Sequence, residues 1–218
     1  MKVIILDLDD TLYNYLEFVK QGFKNVANFI EKETKISKNK IYKDLINIYF
    51  KQNTNRVFNT LKKKYKIKIN INKCILIYRY SERKIKPYKD AIHFLKKYKK
   101  KIYLVTDGNK IVQENKIKFL KLRKFFKKIY KTNHYGLKYN KPSLHCFNLI
   151  KEMENCNFNE LIYIGDNPYK DFKNLNAVRG ITIRLQKGIF KNTKVRKNYD
   201  AKYKSNNLYE VDKIINKL

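Results

Sequence analysis

Apolar residues along the chain follow two periodicities. Short runs that are apolar at nearly every position are typical of strands buried on both faces of a parallel sheet, and segments with apolar residues every three or four positions are typical of helices. The predicted strands are 2–6, 102–105, 161–164 and 181–185, with a weaker run at 128–130. The predicted helices between them are 89–99, 110–122, 143–153 and 170–178. This alternation predicts an α/β fold with a parallel sheet.

Residues 14–86 break the alternation, because helical periodicity continues there without a strand run. The helices predicted in this stretch are 14–34, 38–51, 54–66 and 72–83. Ser37 and Thr54 precede two of them and are of the residue types that cap helix N-termini. We therefore predict an all-helical insertion at 14–86 within an α/β core formed by 1–13 and 87–218.

Composition narrows the class of protein. The 218 residues are 43% hydrophobic and 14% aromatic, enough for a core in spite of a formal net charge of +32. The three cysteines form no CxxC pair, which favours a reducing compartment over a disulfide scaffold. The apolar start at 3–6 is too short for a signal peptide or a membrane span. We expect a cytoplasmic protein without a membrane partner, and its oligomeric state is left open.

The excess of positive charge has two interpretations. It suits a nucleic acid as partner, and it steers anionic substrates in general. Heavy use of Lys, Asn, Ile and Tyr is also what an AT-rich genome produces, whatever the function. The lysine runs are spread over amphipathic segments, as on solvated helix faces. A nucleic acid therefore stays an alternative partner and is not the favoured one.

Two carboxylates follow the first predicted strand. Asp7 and Asp9 are two residues apart in extended chain, so both side chains project to one side. They do so at the carboxyl end of a strand, where ligands bind in open α/β sheets. Adjacent carboxylates repel each other unless one is protonated or a cation lies beside them, and their hard oxygen atoms suit Mg²⁺.

Three later segments carry complementary groups. The segment 106–108 ends the second predicted strand with Thr-Asp-Gly, where a hydroxyl and backbone N–H groups before a helix can hold phosphate oxygens. Lys141 precedes another helix and could balance the carboxylates. Asp166 and Asp171 add two more carboxylates at a strand end and a helix start.

These segments carry a resemblance to a known family. Asp7-x-Asp9-x-Thr11, Thr106, Lys141 and Gly165-Asp166-x-x-x-x-Asp171 resemble the four motifs of the haloacid dehalogenase (HAD) superfamily, in order and in spacing. The resemblance covers residues 1 to about 190. It implies a Rossmann-like parallel sheet, with 14–86 as a helical cap of the type called C1.

The resemblance also implies a role for each motif residue. Asp7 would be the nucleophile that forms an aspartyl-phosphate, and Asp9 the general acid and base. Mg²⁺ would be held by Asp7, by Asp166 and by Asp9, the last through its backbone carbonyl. Asp171 would bind the metal through water or orient Lys141. Lys141 would stabilise charge on the nucleophile and on the phosphoryl group.

Substrate contacts follow from the same resemblance. Thr106 and the backbone amides of Asp107 and Gly108 would hold the phosphoryl oxygens together with Lys141. The candidates for contact with the rest of the substrate are Thr11, Tyr13, Asn109 and Asn167. Asp10 stands where many relatives have Gly, and we assign it no role beyond a turn.

Asp9 separates branches of the superfamily. The dehalogenase branch lacks an acid at this position, whereas an Asp suits an alkoxide leaving group. We therefore predict a Mg²⁺-dependent phosphatase that acts on a small phosphorylated metabolite, either a sugar phosphate or a nucleoside monophosphate. The alternatives are a phosphatase of nucleic-acid ends, a phosphomutase, and a non-catalytic binding module with the HAD fold.

Overall fold

The structure, a computed structural model, describes residues 2–52 and 56–218. Its strands are β1 (Val3–Leu6), β2 (Ile102–Thr106), β3 (Phe126–Lys131), β4 (Leu161–Gly165), β5 (Ile181–Leu185) and β6 (Tyr203–Ser205). Its α-helices are α1 (Tyr15–Thr34), α2 (Lys38–Gln52), α3 (Val57–Tyr65), α4 (Ile71–Tyr80), α5 (Lys89–Lys97), α6 (Lys110–Phe119), α7 (His145–Met153), α8 (Lys173–Ala177) and α9 (Leu208–Ile215). No helix of these described residues is long and apolar enough to cross a membrane.

The chain divides into two units. One unit, the α/β unit, consists of Met1–Tyr15 and Lys86–Leu218. The other, the helical unit, is Leu16–Ile85 and contains most of α1 together with α2, α3 and α4. Whether the helical unit serves as a cap stays a prediction.

A six-stranded sheet forms the centre of the α/β unit. Its strand order is β3-β2-β1-β4-β5-β6, and every neighbouring pair is parallel. Every residue of β1, β2, β4 and β5 is buried, which explains why these strands have continuous apolar runs in the sequence. The predicted α/β fold with a parallel sheet is confirmed. From β1 the chain adds β2 and β3 on one side of the sheet and then adds β4, β5 and β6 on the other side. Open α/β sheets bind ligands at the point beside β1 where this switch occurs.

The core beneath the sheet is rich in aromatic residues. Tyr103, Tyr163, Phe147 and Phe172 are buried in one cluster, together with Ile5 of the central strand. The rings of Phe147 and Tyr163 meet edge to face with centroids 5.0 Å apart. Such an aromatic pair stabilises the core beyond the apolar area that it buries, and here it packs α7 against β4.

The helical unit has its own aromatic core. α1 places its buried residues at helical spacing, so one face of the helix is apolar. Phe23 lies on that face, and its ring centroid is 5.8 Å from that of Tyr49 and 6.2 Å from that of Phe58. The guanidinium of Arg83 lies 3.5 Å from the ring centroid of Phe18, a cation–π contact within the same unit.

The structure corrects several predicted boundaries. The helix predicted at 170–178 begins only at Lys173, because the backbone amides of Lys170 and Asp171 both donate to the carbonyl of Asn167 and form a turn. Strand β6 and helix α9 were not predicted at all. Ser37 directly precedes α2 as expected for a cap position, whereas Thr54 lies outside the described residues.

Candidate active site

Three strand ends bring the predicted residues together. Asp7 follows the central strand β1. Thr106 ends β2 and Asp166 follows β4, and these two strands flank β1. Because parallel neighbours end at the same edge of a sheet, these side chains share one cavity of about 260 Å³. The described residues that line it are Asp7, Asp9, Asp10, Tyr15, Thr106, Asp107, Lys141, Asp166, Asn167, Lys170, Ile189 and Phe190. All of them belong to the α/β unit.

Lys141 joins two of the predicted carboxylates. Its ammonium lies 2.7 Å from Asp7 Oδ1 and 2.7 Å from Asp171 Oδ1, and it also donates to the Tyr163 hydroxyl at 2.8 Å. Tyr163 in turn donates to Asp171 Oδ1 at 3.1 Å. We call these four residues the Lys141 cluster. Asp171 can approach so closely because residue 165 is glycine, where any Cβ would collide with the Asp171 carboxylate.

Burial dominates the electrostatics of the Lys141 cluster. Burial raises the pKa of Asp7 to about 7, although Lys141 lowers it. For Lys141 burial acts in the opposite direction, but Asp171 and Asp7 outweigh it and hold the pKa of the ammonium well above its usual value. A permanently charged lysine is therefore fixed against the predicted nucleophile.

Asp166 is a further buried carboxylate that lines the cavity. It is 5% exposed, and its side chain accepts no hydrogen bond from the described part of the chain. Burial raises the pKa of Asp166 well above its usual range, and Asp171 and Asp7 raise it further. Carboxylates that are buried in one cavity and raise the pKa of one another call for a further cation.

The donor atoms fit a small hard cation. The predicted ligands are carboxylate oxygens of Asp7 and Asp166 and the backbone carbonyl of Asp9, which is the oxygen set that Mg²⁺ prefers. Among the described residues no group of three or more His, Cys, Asp or Glu side chains is arranged to hold a metal. The predicted set needs only two such side chains, so this result does not conflict with it.

A second lysine holds Asp9. Lys116 of α6 places its ammonium 2.9 Å from Asp9 Oδ1 and 2.7 Å from Oδ2. The Tyr13 hydroxyl donates to Oδ1 at 2.5 Å, and the Gln113 side-chain amide donates to Oδ2 at 3.3 Å. Burial raises the pKa of Tyr13 well above its usual value and the Asp9 charge raises it further, so this hydroxyl keeps its proton and donates. We call these four residues the Lys116 cluster.

The segment after β2 links the two clusters. The Thr106 hydroxyl is buried and accepts a hydrogen bond from Gln113 at 2.5 Å. The Asp107 carboxylate accepts from the Thr132 hydroxyl at 2.7 Å and from the backbone amide of Lys141 at 3.1 Å. Asp107 therefore orients the lysine segment with its side chain. Gly108 follows in the turn that leads to α6.

The four candidate substrate contacts lie in different places. Asn167 lines the cavity. Tyr13 is fully buried behind Asp9 and does not line the cavity, because its hydroxyl is directed at the Asp9 carboxylate. Thr11 is fully buried and does not line it. Asn109 is the N-cap of α6, where its side chain accepts from two backbone amides of the first turn.

Several residues of the site could not be singled out in the sequence. Lys116 is one of 51 Lys and Arg residues, and only its spacing of three from Gln113 places both on one face of a helix. Asp10, for which we predicted no role, is a buried carboxylate that accepts the backbone amide of Tyr15 at 2.9 Å. Ile189 and Phe190 reach the cavity from a segment after β5 that carries no motif.

Comparison of the chain with known proteins supports the predicted family. A glyceraldehyde 3-phosphate phosphatase of Methanocaldococcus jannaschii is 31% identical and aligns over 100% of this chain and 98% of its own length. A protein of the same name from Methanopyrus kandleri is 24% identical over 92% of this chain and 91% of its own. A crystal structure of a HAD-type hydrolase from Bacillus subtilis bound to magnesium superposes with a TM-score of 0.71 at 18% identity, over 99% of this chain and 98% of its own.

The sequence profile of one family matches most of the chain. It is that of the haloacid dehalogenase-like hydrolases, and it aligns with residues 4–178. The match spans the strand ends at Asp7, Thr106 and Asp166 and extends past Asp171. The chain belongs to the haloacid dehalogenase-like hydrolase family.

Proposed function

We propose that the protein is a Mg²⁺-dependent phosphatase that hydrolyses a small sugar phosphate through an aspartyl-phosphate. The observation that carries the proposal is the Lys141 cluster, in which one buried ammonium bridges Asp7 and Asp171 at the edge of the sheet. A carboxylate fixed beside a cation at the switch point suits attack on a phosphoryl group.

The metal would be bound by the carboxylates of Asp7 and Asp166 and by the backbone carbonyl of Asp9. When bound, Mg²⁺ supplies positive charge that offsets the repulsion between these carboxylates and a phosphate dianion. Asp171, held by Lys141 and by the Asn167 amide at 2.9 Å, would act through Lys141 or through a metal-bound water.

The protein's own groups account for each change of bonds. In the first step a carboxylate oxygen of Asp7 forms a bond to phosphorus, the bond from phosphorus to the ester oxygen breaks, and Asp9, which enters this step in its protonated form, gives that oxygen its proton. In the second step water attacks phosphorus, Asp9 takes its proton, and the bond between phosphorus and Asp7 breaks. Thr106, Lys141 and the amides of 107 and 108 hold the phosphoryl oxygens throughout.

The Lys116 cluster supports the role of Asp9. Both oxygens of the Asp9 carboxylate are held, yet the side chain keeps 27% of its surface exposed. The group is thus fixed in direction while a ligand can still reach it, as proton transfer to a leaving oxygen requires. This arrangement favours ester hydrolysis over dehalogenation, which needs no such proton.

Two observations favour a sugar phosphate over a larger substrate. A cavity of about 260 Å³ is of the size that a small metabolite fills. The curated relatives bear the name glyceraldehyde 3-phosphate phosphatase. We infer further that the helical unit acts as the cap that admits such substrates, as the resemblance to type C1 implies.

Phosphate release from a substrate panel tests the proposal. The panel contains glyceraldehyde 3-phosphate, hexose phosphates, nucleoside monophosphates and a 5′-phosphorylated oligonucleotide, each with Mg²⁺ and with EDTA. We expect release from the triose phosphate that needs Mg²⁺ and that Asp7→Asn lowers by at least about 10⁴-fold. Asp212→Asn, which removes a surface partner of Lys97, is the matched control and keeps wild-type activity.

The panel also decides among the alternatives. Preference for the oligonucleotide would favour the action on nucleic-acid ends, and interconversion of sugar phosphates without phosphate release would favour a mutase. No turnover of any member, with Mg²⁺ bound, would contradict the phosphatase and leave a binding module.

A further inference from the structure

One wall of the cavity differs in character from the rest. Among the described residues that line it, all carry polar or charged groups except Ile189 and Phe190. Both belong to the segment 186–193 that follows β5. Ile189 keeps 55% of its surface exposed, although an aliphatic side chain gains free energy when it leaves water. We call this pair the apolar wall.

A buried arginine fixes the segment from behind. Arg184 at the end of β5 is 1% exposed, and one guanidinium nitrogen donates to the carbonyls of Phe190 at 2.6 Å and of Thr193 at 2.9 Å. The other terminal nitrogen donates to Asp200 at 3.0 Å. An arginine buried with these partners holds the backbone of the wall in one place.

Asp10 fixes the same segment from the side of the nucleophile loop. Its buried carboxylate accepts a hydrogen bond from the backbone amide of Tyr15 at 2.9 Å, and the nearby backbone amide of Ile189 lowers the pKa that burial raises. Gly188 has a φ of 60° and lies so near that a Cβ there would be 2.1 Å from the Asp10 carboxyl. Only glycine allows this approach. Lys187 adds a third anchor through its bond of 2.6 Å to Asp90.

Rigid anchoring and exposed apolar surface together indicate a ligand contact. Ile189 and Phe190 therefore present apolar surface to the cavity from a backbone that Arg184 and its neighbours hold in place. The phosphoryl group would lie at the polar side of the cavity, near Lys141 and Thr106, so the part of the substrate beyond the ester oxygen faces the other lining residues. Where that part of the substrate meets Ile189 and Phe190, the apolar surface cannot solvate a charge.

We propose that Ile189 and Phe190 are specificity-determining residues that contact the carbon part of the leaving group. They favour phosphomonoesters whose leaving group is short and uncharged, and they disfavour those with a carboxylate near the ester. This inference rests on the proposed phosphatase function.

A matched pair of substrates and a phosphate inhibition assay test the inference. Glyceraldehyde 3-phosphate and 3-phosphoglycerate have the same carbon chain and differ in an aldehyde against a carboxylate. We expect the wild type to prefer the aldehyde, and Ile189→Ala or Phe190→Ala to lower its kcat/KM by about tenfold, the scale of a lost apolar contact in a substrate pocket. Inhibition by inorganic phosphate, which has no carbon part, should change by less than about twofold because each variant leaves the polar side intact.

The control variant is Ile111→Ala, which truncates an Ile of similar exposure that does not line the cavity. It should match the wild type in all three measurements. An unchanged kcat/KM in both wall variants, an equal weakening of inorganic phosphate, or a wild type that prefers the carboxylate would each overturn the inference. A wild type that hydrolyses no phosphomonoester would instead contradict the proposed function, and the inference would fall with it.

Discussion

Two lysine–carboxylate clusters lie at the same edge of the sheet and differ in how they meet water. In the Lys141 cluster the side chains of Lys141, Asp7 and Asp171 are 4%, 7% and 0% exposed. In the Lys116 cluster the lysine is 4% exposed but Asp9 is 27% exposed. In the first cluster all three charged side chains are almost fully buried. In the second cluster the lysine is almost fully buried, but the Asp9 carboxylate is accessible to solvent. This difference suits a nucleophile that must stay fixed and an acid–base group that must exchange protons.

Removal of Lys141, the lysine of the more deeply buried cluster, should have the largest effect. Lys141→Met leaves Asp7 and Asp171 buried without a cation, which costs about 3–5 kcal/mol in comparable pairs. We expect kcat to fall by at least about 10³-fold, since the charge next to the nucleophile and the phosphoryl group is lost. Thermal unfolding and phosphate release check both effects at pH 8.

Lys97→Met is the control for this loss of charge. Lys97 pairs with Asp212 at 2.6 Å, but the lysine side chain is 42% exposed, so its removal should cost less than about 1 kcal/mol. If both variants melt within about 2 °C of the wild type and turn over equally well, Lys141 is not the central charge of the site.

Removal of Lys116 should have a smaller effect on the reaction rate, and the size of the effect should depend on the leaving group. In Lys116→Met the Asp9 carboxylate loses its closest donor and is no longer held in one direction. We expect the first-turnover rate to fall by about 10²-fold for an alkyl phosphate, whose leaving oxygen needs a proton. For 4-nitrophenyl phosphate, whose leaving group departs as a stable anion, the loss should be less than about fivefold. Rapid-quench measurements on both substrates give the ratio.

A neighbouring lysine gives the comparison for Lys116. Lys118 lies on the same helix but is exposed, so Lys118→Met should behave as the wild type on both substrates. Equal losses on the two esters in Lys116→Met would mean that Lys116 supports phosphate binding or folding in general. Tyr13→Phe, which removes only the hydroxyl bonded to Asp9, should show the same selectivity with a smaller loss.

The two clusters also differ in how far the sequence predicts them. Asp7, Thr106 and Asp166 could be placed together because each follows a continuous apolar run, and parallel strands end at one edge. Lys141 could be noted as a cation before a helix, but its role beside Asp7 followed only from the resemblance to the HAD motifs. Lys116 has neither signal, because its contact with Asp9 depends on how α6 packs against the loop after β1, which local sequence does not determine.

The same limit applies to the fold. The weakly patterned strand β6 has only Ser205 buried, so it has no apolar run to mark it. Helix α9 did carry a signal, since Asn207 caps it and lies three residues before Glu210, to which its side chain donates at 2.8 Å. The apolar wall had none, because its position is set by Arg184 and Asp10 from distant parts of the chain.

From the Lys141 cluster, unlike the Lys116 cluster, we also predict how the stability of the fold depends on pH. Burial raises the pKa of Asp7 to about 7 in the folded protein, against 3.8 for an ordinary Asp. Between these values the folded state binds more protons than the unfolded state, so stability falls as pH rises from about 4 to about 7 and levels off above that. Without metal, the melting temperature should thus be lower at pH 8 than at pH 5, by on the order of 5 °C. Asp7→Asn removes the part of this titration that belongs to Asp7 and should reduce the difference, whereas the part that belongs to Asp166, whose pKa burial also raises, remains. Mg²⁺ at pH 8 should restore the wild type because it binds the ionised carboxylates of the folded state. Calorimetry of both proteins in EDTA and in Mg²⁺ measures the effect, and equal pH slopes in the two would show that the Asp7 carboxyl is already ionised at pH 5.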